Sequence, residues 1–328
     1  MGSLSAPLRP LAGGPRSVRP GRVAAATAAL ALTVSCSAGP SGAGAPPAPV
    51  SGPPAAASGP PAAAAPVAPV TAEINQLRDN YSRQIIAVQL TNNTAGPVTV
   101  LSAAVASPLF SGTIEWHAAP GGTELPPGQT KILPAQLRTP VCSPPATPTD
   151  PGATVAFRLA GDSGAGPAVT VRAPDPFGVM SRNNTEMCLA QAVAEVADIR
   201  LLPELEVPAG AHSAVLTLSI TPRPGTGTPA ATQSLTLARI DGTTLLDEDP
   251  EVPWPRSVSV RAGDAALRVR LGIRPARCDP HAIADDKVGT LLPLRVSAGG
   301  RDGILKIDAG ALLRGRIYDF LTTACGRQ

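Results

Sequence analysis

Apolar and polar residues alternate with period two through most of the chain beyond residue 83. In "ALRVRLGI", from Ala266, Leu267, Val269 and Leu271 fall on one side and Arg268 and Arg270 on the other, which is how a strand with one buried face reads. Comparable runs start at Arg83 ("RQIIAVQLT"), Gly96 ("GPVTVLSA"), Thr130 ("TKILPAQL"), Ala153 ("ATVAFRLAG") and Pro167 ("PAVTVRA"). A second set starts at Ser213 ("SAVLTLSIT"), Gln233 ("QSLTLARID"), Arg256 ("RSVSVRAG"), Leu291 ("LLPLRVSAG") and Gly303 ("GILKIDAG"). Gly, Pro, Asn and Asp punctuate these runs, so the chain predicts short antiparallel strands in immunoglobulin-like β-sandwiches, an all-β fold. One stretch has the helical period instead: in "AGALLRGRIYDFLTTAC" Leu313, Ile317 and Phe320 share a face. The matching stretch of the first half lacks that pattern.

The strand pattern occurs twice, and the cysteines show the same duplication. Trp116 is followed after 26 positions by Cys142 and after 46 more by Cys188; Trp254 is followed after 24 by Cys278 and after 47 by Cys325. "CSP" at Cys142 matches "CDP" at Cys278, Arg158 matches Arg295, and "AEINQLR" from Ala72 matches "ADIRLLP" from Ala197. We therefore read two tandem β-sandwich modules, at 72–193 and 194–328. Four cysteines allow three pairings, and the duplication selects Cys142 with Cys188 and Cys278 with Cys325, one disulfide in each module.

Ahead of the modules the pattern changes. Residues 1–22 carry Arg9, Arg16, Arg19 and Arg22 and no acid, residues 23–34 ("VAAATAALALTV") are apolar, and Ser35 precedes Cys36. A basic, apolar, small-residue order reads as an export signal over residues 1–35, too short to span a bilayer. "LTVSCSAG" resembles a bacterial lipobox, with Thr33 where Leu is commoner. The resemblance implies cleavage before Cys36, diacylation of its thiol and membrane attachment on the extracellular face. Residues 36–71 are then a tether: Ser37 to Val70 contains only Ala, Pro, Gly, Ser and Val, a composition expected to stay extended and disordered. At ~3.1 Å per residue it could reach on the order of 100 Å.

Composition narrows the function classes. All basic residues but Lys131, Lys287 and Lys306 are Arg, which with the Ala and Pro excess suggests a high-GC bacterial genome. Without residues 1–35 the chain has 23 basic and 24 acidic residues, so it lacks the electrostatic footprint of a nucleic-acid binder.

Four features invite a chemical reading. "GDSG" around Ser163 looks like the nucleophile segment of chymotrypsin-like proteases, but it lies between two strand runs and reads as a hairpin turn; the one upstream histidine, His117, sits in "EWHAAP". "RCDPHAIADDK" crowds His281, Asp285 and Asp286 next to Cys278. With that cysteine in a disulfide, one His and two acids are a thin metal site, and a solvated loop is expected. Asp247, Glu248, Asp249 and Glu251 lack the glycine and ligand spacing of an EF-hand. Trp116 and Trp254 read as equivalent core residues rather than a binding platform. The expectation is a non-catalytic lipoprotein, without a cofactor, whose modules bind or scaffold a cell-envelope protein or wall polymer. The alternative is metal or small-ligand handling, or hydrolysis, near His281.

Overall fold

The computed structural model describes residues 68–142, 152–162, 164–210, 212–225 and 234–326. The expected signal segment, Cys36, almost all of the tether, and Ser163 lie outside the described residues.

The first module contains β1 (Val70–Asn75), β2 (Ile85–Asn92), β3 (Val98–Ala106), β4 (Ile114–His117), β5 (Thr123–Leu125), β6 (Thr130–Gln136), β7 (Ala153–Gly161) and β8 (Gly164–Ala173), followed by helix α1 (Val179–Val196). The second contains β9 (Ala197–Glu206), β10 (Ala214–Pro222), β11 (Ser234–Ile240), β12 (Leu246–Glu248), β13 (Val258–Arg261) and β14 (Leu267–Pro275). After these come α2 (Pro280–Ala284), β15 (Leu291–Ala298), β16 (Arg301–Asp308) and α3 (Gly310–Cys325).

One sheet of the first module runs β1-β2-β6; the other runs β4-β3-β7-β8, with β5 also on β3. The second module repeats the scheme as β9-β10-β14 and β13-β11-β15-β16, with β12 added at the β14 edge. Each pair of sheets is a β-sandwich because alternate residues of both point into one core. Ile86, Val88 and Leu90 of β2 are buried with Val155 and Phe157 of β7 in the first, and Leu216, Leu218 and Ile220 of β10 with Leu294 and Val296 of β15 in the second. Each such side chain stabilises the fold by about 2 kcal/mol on removal from water. The stripe anticipated on β14 is graded: Leu271 is buried, and Leu267 at the strand's start is exposed.

α1 occupies the stretch of the first half in which the sequence shows no helical period. Its start is set by Asp175, whose carboxylate accepts from the Val179 and Met180 amides at 2.7 and 2.8 Å, satisfying two donors that a helix leaves unpaired. Its first half buries Val179, Met180 and Asn183 against the first module; its second half buries Leu189, Val193 and Val196 in the core of the second. At about 100° per residue these two faces differ by roughly a third of a turn, so their apolar periodicities cancel along the helix. The expected boundary at 193/194 falls inside this helix, which continues into β9 without a loop.

The disulfides are Cys142–Cys188 and Cys278–Cys325, with Cα atoms 5.4 and 5.2 Å apart. Each joins the segment after the sixth strand of its module to the C-terminal helix. On a chain-entropy model, loops of 46 and 47 residues give about 4 kcal/mol each. Cys188 is buried, whereas Cys278 and Cys325 are both partly exposed, and thiol exchange needs access to sulfur. Titration with dithiothreitol, followed by alkylation and peptide mapping, is expected to open Cys278–Cys325 first; simultaneous opening would mean that the burial of Cys188 gives no protection.

Candidate functional site

The residues singled out for chemistry are held by local structural contacts. Asp279 caps α2, accepting from the His281 amide at 3.0 Å, and Pro280 suits the first helical turn. His281 and Asp285 are exposed. Asp286 turns inward: Oδ1 accepts from the Gly289 amide at 2.7 Å and the Val288 amide at 3.3 Å, while Oδ2 accepts from the Tyr318 hydroxyl at 3.0 Å. That carboxylate fixes the turn leading into β15 and joins it to α3. Among the described residues no group of three His, Cys, Asp or Glu side chains could hold a metal ion.

β7 and β8 pair down to Gly161 opposite Gly164, the residues flanking the Asp162-Ser163 pair. His117 lies on β4, at the other edge of the same sheet, with β3 and β7 between. At about 4.8 Å per strand, the two edges are on the order of 14 Å apart. His117 instead bonds Glu115 at 3.3 Å, and that bond, followed by one from Thr113, holds the exposed Glu115 carboxyl below its ordinary range.

The acidic run is held by two ion pairs and a turn. Asp247 pairs with Arg274 at 2.8 Å and Glu248 with Arg256 at 2.6 Å, while Asp249 accepts from the Glu251 amide. The tryptophans are not equivalent. Trp254 is buried in the loop after β12 and donates its indole N–H to the Gly272 carbonyl at 2.6 Å, whereas Trp116 is half-buried on β4. Asn92 and Asn183, the acceptors of two glycosylation-type sequences, are both buried: Asn92 bridges Gly96 and Leu125, and Asn183 pairs with Gln76.

Two clefts stand out among the described residues. The smaller, about 110 Å³, lies between the modules, with Tyr81, Glu186 and Met187 on one wall and Leu305, Lys306 and Asp308 on the other. Lys306 Nζ pairs with Glu186 at 2.7 Å and stands 5.5 Å from the Tyr81 ring centre, as Arg182 does at 5.4 Å. Arg301 donates to the Cys142 carbonyl. The larger, about 450 Å³ and open to solvent, is floored by Leu205, Val207, Phe320 and Ala324, with Arg316 and Asp319 at its rim. Sequence reasoning missed both clefts, since each joins α1 or α3 to strands and loops distant in the chain.

No family model matches the chain, and no curated protein matches it. Among solved structures, the Pseudomonas aeruginosa CupB2 chaperone aligns at 12% identity over 69% of this chain and 93% of that one, with a TM-score of 0.16. Red sea bream transglutaminase aligns at 10% identity over 74% of this chain and 31% of that one, with a TM-score of 0.18. Likeness at that level carries no argument about function.

The Tyr318–Asp286 contact has a measurable signature. Burial first, then the Asp286 charge and the hydrogen bond to it, push the Tyr318 phenol from an ordinary 10 up to about 12. Because the folded value is the higher one, the stabilisation is complete below about pH 10 and is lost as pH rises through 12. The chain has two tyrosines, so a Tyr81→Phe variant leaves Tyr318 as the only phenol. Its ultraviolet titration is expected to have a midpoint near 12. A midpoint at the ordinary value would show that the contact is not made in solution.

Proposed function

We propose that this protein is an exported lipoprotein, attached through Cys36 to the outer face of the cell membrane. It holds two β-sandwich modules on a Pro/Ala tether as a non-catalytic binding or scaffolding body. The observation that carries the reading is the order of a basic segment, an apolar run, a small residue and Cys36 at the amino terminus, followed by an uncharged tether. A single acyl chain holds weakly; two or three, at about 0.8 kcal/mol per buried methylene, give a stable anchor. Among the described residues no helix is long and apolar enough to cross a membrane, and a lipid anchor requires none.

Two features favour a binding role over catalysis. Among the described residues the acids and histidines named above are exposed or engaged in caps, turns and ion pairs away from the open cleft, whose charged lining is Arg316 and Asp319. Of the two tryptophans Trp254 is buried and Trp116 half-buried, so neither presents a fully open ring to a wall sugar, which favours a protein in the envelope as the partner class.

Metabolic labelling with a clickable fatty acid in the source organism is expected to mark the parent protein. Cys36→Ala should abolish the label and release the protein from the membrane fraction. An unlabelled parent that sediments with membranes would rule out the anchor.

A further inference from the structure

The contact between the modules is made by two different surfaces. On the first module a socket is formed by α1 and the segment before β2, including Tyr81, Asn183, Glu186 and Met187; on the second a plug is formed by β15 and β16, including Leu291, Leu305, Lys306 and Asp308. In a duplicated chain each module has a counterpart of both surfaces, and a head-to-tail contact uses only one of each. One socket and one plug are left over.

The unused socket is the open cleft of about 450 Å³ on the second module. Phe320, Thr323 and Ala324 line it, standing the same distances ahead of Cys325 as Asn183, Glu186 and Met187 stand ahead of Cys188. Its other wall is the end of β9 and the residues following it, where Val207 is 47% exposed.

The unused plug is the outer part of the β7–β8 hairpin. Thr154 faces Arg172 across that hairpin as Leu291 faces Asp308, and Arg158 faces Ala168 as Arg295 faces Ile304. The plug counterparts on the first module are therefore Thr154, Ala168, Val169, Thr170 and Arg172. All five are exposed, Val169 to 42%.

The charged positions change together on both surfaces. The Lys306–Glu186 pair within the chain has the uncharged Thr170 and Thr323 as its counterparts, while Arg182 on the socket helix and Asp308 on the plug are replaced by Asp319 at the rim of the open socket and Arg172 on the open plug, an acid and a base of opposite sign to the residues they replace. We propose that the occupant of the open socket is the β7–β8 hairpin of a second copy of this chain, so that copies associate head to tail. The contact between copies lacks one part of the contact within the chain. α1 continues past Cys188 to bury Leu189, Val193 and Val196, whereas α3 ends at Cys325, so the association is reversible.

This inference deepens the scaffolding reading and does not rest on the lipid anchor. It is tested with the full-length chain carrying Cys36→Ser, so that no acyl group can hold copies together. Analytical ultracentrifugation up to about 1 mM should show an average mass that rises with concentration past that of a dimer. Val169→Asp spoils only the plug and Val207→Asp only the socket; both residues are exposed, so each variant should keep both native disulfides and its thermal transition. Each variant alone should associate at least about tenfold more weakly than the parent. An equimolar mixture should recover pairs and nothing longer, since one intact plug then meets one intact socket. A parent that stays monomeric throughout, or association that survives both substitutions, would overturn the proposal.

Discussion

The described part of this protein depends on one helix being buried on two different sides. α1 closes the first sandwich with Val179 and Met180 and, past Cys188, inserts Leu189, Val193 and Val196 into the second core. Its second half needs close approach on the other side: a Cβ on Gly303 would come within 3.0 Å of Leu189 Cδ2, and one on Gly299 within 3.1 Å of Ala192 Cβ. The β15–β16 hairpin therefore keeps glycine where the helix crosses it. Arg223 closes the seam, donating its amide to the Val196 carbonyl at 2.8 Å and its Nε to the Ala194 carbonyl at 3.2 Å. The modules are joined by a shared piece of core rather than by a linker.

The same arrangement explains which features the sequence reveals. Strands were legible because period-two alternation survives wherever one face is buried, as in Ile86, Val88 and Leu90. The disulfide pairing was legible because duplication repeats a spacing. α3 was legible too, since Leu313, Ile317 and Phe320 bury one constant face. α1 was not, because its buried face changes between Asn183 and Leu189 and no single stripe exists to detect. Asn183 adds to the disguise: a buried asparagine counts as polar in the sequence, but here it bonds Gln76 and the Val179 carbonyl. The docking of the modules was hidden for the same reason.

Local spacing misled in the opposite direction around the candidate chemistry. His281, Asp285 and Asp286 are neighbours in sequence, yet a five-residue helix and the turn after it send Asp286 inward to Tyr318 and leave the other two in solvent. Trp116 and Trp254 stand at similar spacings to their cysteines, but Trp116 lies on β4, paired with β3, while Trp254 lies in the loop after β12 and bonds Gly272 of β14. An added or missing residue in a loop moves a side chain without disturbing the rest of a repeat. Cysteine spacing survives such changes because a disulfide tolerates only a narrow range of Cα separations.

Cys142–Cys188 also has a mechanical meaning. Load that enters ahead of β1 and leaves through the second module passes through the first module. The 46-residue loop closed by this disulfide contains β7, β8 and the first half of α1. Tension that tears the first sandwich open cannot draw that loop out, which withholds roughly 150 Å of extended chain. The segment that joins the two modules thus begins at a covalent stop. Force reaching Cys142 passes across the sulfur bridge into the helix end seated in the second core, with the strands of the loop kept out of its path.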